Sequence, residues 1–228
     1  MSAALVVGCG VAGAVVGVFL PVDVVPSEDG RTVAAGPSPI PDAVLHETWG
    51  RAMLLATAGV WAGLAASFGA VWQLPADLLV GAGLVALTVV DLRFQLLPRR
   101  IVIPLGLGAL ALFGLAAAAT GSGDVFARSV LCAVAAFVVF AILRFANPAA
   151  LGGGDVTLAA VLGLVLGWQS VDAVLAGLGV GIVLAAVFAV VGLAARRLRR
   201  DTALSYGPFL ALGTLIVLFA APSGHLFG

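Results

Sequence analysis

The sequence predicts an all-α, polytopic membrane protein with about eight transmembrane helices, read as a single integral membrane domain over residues 1–228. Composition is the first reason. The 228 residues are 62% hydrophobic and 10% charged with a mean hydropathy of +1.21, whereas soluble domains run at about 45–50% apolar and 25% charged. Patterning is the second, because apolar runs of spanning length alternate with short polar turns. The third is arginine placement, which falls on alternate turns as expected of a chain threading a bilayer.

The first apolar run covers approximately residues 3 to 21. No basic residue precedes it and no clear cleavage site follows, so a retained helix is expected rather than a signal peptide. Residues 22–51 form the one long polar stretch, where Pro26, Pro37, Pro39 and Pro41 interrupt regular structure. This stretch is expected to be a cytoplasmic loop without a domain of its own. Seven further apolar segments follow at approximately 52–72, 76–92, 101–120, 125–145, 156–169, 172–195 and 208–222.

Placing the N-terminus outside puts Arg31, Arg51, Arg93, Arg99, Arg100, Arg144, Arg196, Arg197, Arg199 and Arg200 on the cytoplasmic side and leaves only Arg128 outside. The turns near Gln73–Asp77, Gly121–Asp124 and Gln169–Asp172 then lie outside, short and acid-bearing. Glycines recur four apart at Gly13 and Gly17, Gly59 and Gly63, Gly163 and Gly167, and Gly177 and Gly181. In a chain with 30 glycines these read as helix packing and not as a dimer signal.

Several function classes are excluded. The formal net charge is zero and no basic block suits nucleic acid. Cys9 and Cys132 both sit in apolar segments, and neither they nor His46 and His225 have metal-ligand spacing. No metal and no cofactor is expected.

The informative stretch is Leu151-Gly152-Gly153-Gly154-Asp155-Val156-Thr157. The apolar run after Asp155 reaches only to about Gly167, roughly 18 to 24 Å at the helical rise against a bilayer core of roughly 30 Å. Asp155 is thus expected below the membrane surface. An ionisable side chain there costs on the order of 3 kcal/mol unless protein or trapped water surrounds it, which makes it a functional-site candidate. Gly152, Gly153 and Gly154 would allow an irregular or bent segment through which a substrate backbone approaches Asp155.

Asp91 precedes the Arg99-Arg100 pair that marks the cytoplasmic edge, near the end of the third span. The alternating topology puts it on the same face as Asp155, while the other acids read as loop or turn residues. Two carboxylates in a low-dielectric site cannot both ionise cheaply, so the pair shares a proton. The ionised one can then draw a proton from water while the protonated one hydrogen-bonds the substrate carbonyl, which is general acid-base hydrolysis of an amide. The competing structural reading pairs Asp91 with Arg93 and makes Asp155 a helix cap.

Gly152-Gly153-Gly154-Asp155 after a span, Asp91-Leu92-Arg93, the Leu97-Pro98 and Ile103-Pro104 pattern, and Tyr206-Gly207-Pro208-Phe209-Leu210-Ala211-Leu212-Gly213 together resemble the type IV prepilin peptidase family of membrane aspartic proteases. The resemblance runs from about residue 75 to the C-terminus. It implies that Asp91 and Asp155 are catalytic and that prepilin-like or pseudopilin-like substrates are cleaved at the cytoplasmic face, before the hydrophobic part of the leader, in a type IV pilus or protein secretion system. Long members carry a cytoplasmic domain with paired Cys-x-x-Cys motifs after the first span, where this chain has residues 22–51 and no cysteine. Methylation of the new N-terminus, which bifunctional members perform with S-adenosylmethionine, is therefore left open. Thr157 stands where the family commonly has Lys.

Two other readings compete with the peptidase. A small proton- or cation-coupled transporter would use the same two aspartates, and an inert membrane scaffold would need neither.

Overall fold

The computed structural model describes residues 3–19, 42–94, 99–148, 151–195 and 206–220. They form eight α-helices: α1 Ala3–Phe19, α2 Asp42–Phe68, α3 Leu74–Phe94, α4 Arg99–Thr120, α5 Gly123–Ala146, α6 Gly153–Gln169, α7 Val171–Ala194 and α8 Gly207–Ala220. Among the described residues there is no strand. Helices α2, α3, α4, α5 and α7 are long and apolar enough to cross a membrane. The other three are shorter, with 17 residues in α1, 17 in α6 and 14 in α8. The chain is a multi-pass membrane protein.

Local chemistry sets the helix ends. α2 starts at Asp42, so residues 42–51, expected in the polar loop, are helical. No Gly or Pro falls between Pro41 and Gly50 to interrupt the helix. Residues 20–41, with the remaining prolines, lie outside the described residues, as does the cluster Arg196–Arg200. α2 stops at Phe68 because Gly69 takes φ +70° and returns its N–H to the Ala65 carbonyl at 3.0 Å. Gly121 takes the same φ, and Ser122 N–H closes on the Ala117 carbonyl at 3.1 Å. Both positions use the left-handed conformation that glycine tolerates.

Successive helices run antiparallel. Trp61 Nε1 of α2 donates to the Leu78 carbonyl of α3 at 2.8 Å, Gly83 of α3 faces Leu105 of α4, Gly163 of α6 faces Cys132 of α5, and Gly181 of α7 faces Leu210 of α8. α6 is the central helix, buried at Gly154–Val156 and continuously from Val161 to Trp168, and it packs on α3, α4, α5, α7 and α8. α3 is also interior: 61% of its spanning segment is buried, against 22% to 33% in the other four long helices.

Two glycine pairs set the closest approaches. A Cβ on Gly163 would lie 2.8 Å from the Cys132 carbonyl oxygen, and one on Gly167 would lie 3.0 Å from Ser129 Cα. Ser129 Oγ then reaches the Leu164 carbonyl at 2.6 Å, a bond between α5 and α6 that the small interface permits. Gly181 meets Leu210 Cα of α8 at 2.8 Å in the same sense. Of the pair Gly59 and Gly63, Gly59 faces open space while a Cβ on Gly63 would lie 2.9 Å from the Phe219 ring of α8.

Candidate active site

Antiparallel threading brings the end of α3, the start of α4, the end of α5 and the start of α6 to one end of the bundle. Asp155 is the third residue of α6. Gly152, just before the helix, is extended at φ −67° and ψ 149°, and its N–H donates to Asp155 Oδ2 at 3.1 Å. Asp155 thus supplies a capping bond to its own helix, in agreement with the competing structural reading. Only one oxygen is used that way. Oδ1 is buried with no hydrogen-bond partner, in a residue 4% exposed.

The glycine run is more regular than the sequence suggests. Gly153 and Gly154 already belong to the first turn of α6, so Gly152 alone is non-helical, and none of the three takes a positive φ. A helix start needs no left-handed residue, and the glycines instead admit close neighbours. The Arg99 guanidinium packs over Gly153 where a Cβ would stand. Thr157 turns its hydroxyl back onto its own helix, donating to the Gly153 and Gly154 carbonyls at 3.1 and 2.9 Å.

Asp91 lies in the last turn of α3 and is 1% exposed. Its charge acts on the Asp155 carboxyl, as does the opposite charge of Arg144. Asp91 and Asp155 thus stand at the same end of the bundle. The side chain of Arg93, the other suggested partner of Asp91, lies outside the described residues.

A cavity of about 590 Å³ opens at the same end of the bundle between α4, α5 and α6. Its cations are Arg99 and Arg144, its apolar wall includes Ile103, Phe137 and Val156, and Gly153 and Thr157 reach it from α6. Neither aspartate lines it.

Two features escaped the sequence. Arg144, taken only for its topological charge, donates through Nη1 to the Leu151 carbonyl at 2.7 Å, at the threshold of the glycine run. Asp77, counted with the acids of an external turn, is instead 1% exposed in the first turn of α3, with both oxygens buried and unpartnered. The reading of the Gln73–Asp77 stretch as an acid-bearing turn placed it outside, whereas packing covers it. It lies at the end of the bundle opposite Asp91.

At that opposite end Arg128 caps α6, donating to the carbonyls of Gly167, Trp168 and Gln169 at 3.0, 2.7 and 3.1 Å. Trp168 stacks on Phe113 with ring centroids 4.9 Å apart and donates through Nε1 to Gln73 Oε1. Both ends of α6 are thus held by arginines of α5. Among the described residues no group of His, Cys, Asp and Glu could hold a metal ion.

Residues 78–195 match the model of the type IV leader peptidase family, a segment that contains both Asp91 and Asp155. The prepilin leader peptidase/N-methyltransferase of Pseudomonas aeruginosa is 34% identical over 168 residues, covering 72% of this chain and 56% of that protein. The corresponding protein of Aeromonas hydrophila is 33% identical over 159 residues, covering 64% and 50%. That of Bacillus subtilis is 29% identical over 163 residues, covering 71% and 62%. The chain spans about half the length of the first two and somewhat more of the third. No solved structure matches it. With more than half of its residues, including both buried aspartates of one bundle end, inside the matched segment, the chain belongs to the type IV leader peptidase family.

Proposed function

We propose that this protein is an intramembrane aspartic endopeptidase that removes the leader of prepilin-like or pseudopilin-like substrates at the cytoplasmic membrane face, with Asp91 and Asp155 as the acid-base pair. The observation that carries the reading is the burial of two carboxylates at one end of the bundle, on the interior helices α3 and α6, within electrostatic reach of each other. Family membership supplies the reaction class, and the prepilin substrate comes from what the named relatives process.

The chemistry follows from the arrangement. One carboxylate takes a proton from a water molecule as its oxygen attacks the scissile carbonyl, and the other, protonated, gives its proton to the amide oxygen or nitrogen. Collapse of the tetrahedral intermediate breaks the C–N bond. The leaving amine gains a proton, the leader gains a carboxylate, and the pair again holds one proton. Asp155 Oδ2 is tied to Gly152 N–H, which leaves Oδ1 as its oxygen for water or substrate.

The face follows from arginines. Arg99, Arg100 and Arg144 stand at the aspartate end, while Arg128 stands at the other with Asp124 and Asp172, so the positive-inside rule puts the aspartates on the cytoplasmic side. Residues 1–228 form one membrane domain in this reading, and lipid is its surrounding partner.

Co-expression with candidate prepilins, scored for leader removal, tests the proposal. Cleavage is expected with the wild type and none with Asp91→Asn or Asp155→Asn at equal membrane levels. Undiminished cleavage by either variant sinks it. The mass of the mature N-terminus in the same experiment reads whether a methyl group is added.

A further inference from the structure

Arg144 closes the last turn of α5, half-buried, and its donation to the Leu151 carbonyl falls on one particular peptide unit. The N–H of that same unit, Leu151–Gly152, is the one that donates to Asp155 Oδ2. The two bonds, 2.7 Å at the carbonyl and 3.1 Å at the amide, share one rigid plane. The described peptides include no cis bond, and in a planar trans peptide the C=O and N–H point in opposite directions, so fixing one fixes the other. A guanidinium bound to the carbonyl also draws electron density through the amide and makes its N–H a stronger donor. Leu151 is buried, and Gly152 has no side chain to make a bond of its own.

We propose that Arg144 is a positioning residue for the cleavage reaction: through the Leu151–Gly152 peptide it holds the Asp155 carboxylate in one rotamer, with Oδ2 tied and Oδ1 left for water and substrate. The inference rests on the reading of Asp155 as a reacting group. It differs from a simple clasp between α5 and α6, and the molecule supplies its own control. Arg128, also on α5, holds the other end of α6 by three bonds to backbone carbonyls, at the end away from both proposed catalytic carboxylates.

The test measures kcat and KM for leader cleavage by the purified full chain in lipid nanodiscs, using a prepilin-like substrate. Arg144→Met is expected to lose about 10- to 100-fold in kcat, the scale of losses when outer-shell partners of a reacting group are removed, with KM nearly unchanged. Arg144→Lys, which keeps the charge and a donor, recovers most of that loss. Arg128→Met lowers thermal stability and leaves kcat near wild type.

The proposal is overturned by a wild-type kcat in Arg144→Met, by an effect confined to KM, which would make Arg144 a substrate contact, or by an equal kcat loss in Arg128→Met, which would make both arginines generic braces. Should Arg144→Met fail to accumulate, Arg144→Lys and Arg144→Gln carry the test: Lys is expected near wild type and Gln, a donor without charge, below it, and equal kcat in the two overturns the proposal. Asp155→Asn is assayed alongside. If it cleaves normally, the reading of Asp155 falls and this inference with it. If it is inactive while Arg144→Met is normal, only this inference falls.

Discussion

Asp155 divides its two oxygens between structure and chemistry. Oδ2 accepts from Gly152 and tethers the start of α6, while Oδ1 is buried without a partner. An unsatisfied buried polar atom costs about 1–3 kcal/mol, a cost that Asp77 carries as well, so what sets Asp155 apart is the charge of a second buried carboxylate acting on it. Asp155→Asn keeps the shape and removes the proton acceptor. It is expected to abolish cleavage while membrane insertion persists, as is Asp91→Asn, and the double variant should be little worse than either, since paired acids act as a unit. Quantified leader removal against membrane-inserted protein checks all three. Asp77 is the matched control, equally buried but at the far end of the bundle. Asp77→Asn should retain leader cleavage near wild type in the same assay, and loss equal to that of Asp91→Asn would break the assignment by bundle end. At Gly152 an added Cβ would stand 3.0 Å from Asp155 Oδ2. Gly152→Ala has an allowed backbone, so its expected effect is displacement of the carboxylate and a drop in kcat of about tenfold, in line with the sensitivity of reaction rates to small misplacements.

At the scale of elements, α6 is held in three places. Arg144 and Arg128 of α5 bind backbone carbonyls at its two ends, and Gly163 and Gly167 bring its middle against α5. In lipid, where apolar contact between helices has little advantage over apolar contact with acyl chains, such close packing and interhelical hydrogen bonds supply the association. Gly163→Leu is therefore expected to destabilise the protein by about 1–3 kcal/mol through overpacking against the Cys132 carbonyl. Gly59→Leu, on a surface with nothing within 4 Å, should be near neutral. Thermal unfolding of the detergent-solubilised variants checks the contrast, and equal shifts in the two would contradict the packing described.

For the whole molecule, antiparallel threading makes orientation a single binary choice. With the N-terminus outside, Gly123 faces the exterior and Arg100 the cytoplasm, and both positions are exposed. In a background with Cys9 and Cys132 replaced by Ala, Gly123→Cys should react with an impermeant maleimide in intact cells and Arg100→Cys only after permeabilisation. The reverse pattern would put Asp91 and Asp155 at the outer face and end the case for cytoplasmic leader cleavage.

The sequence by itself determined the membrane class, the approximate helices and the shared end of Asp91 and Asp155, because these depend on local hydropathy, on helix length and on the parity of a chain that reverses at each turn. Arginine asymmetry added a proposed orientation, and the residues around Asp91, Asp155 and Tyr206 pointed to the family. The inward faces were not legible. Helices such as α7 are apolar all round, and lipid is as apolar as the protein interior, so no stripe of polarity marks the buried side. Only packing distinguished Gly163 from Gly59 and placed Asp77 inside rather than in a turn. The Arg144 contact was likewise out of reach, because a bond between a side chain and a distant backbone carbonyl leaves no periodic trace. That this carbonyl faces Arg144 while its amide faces Asp155 is a property of the tertiary structure alone.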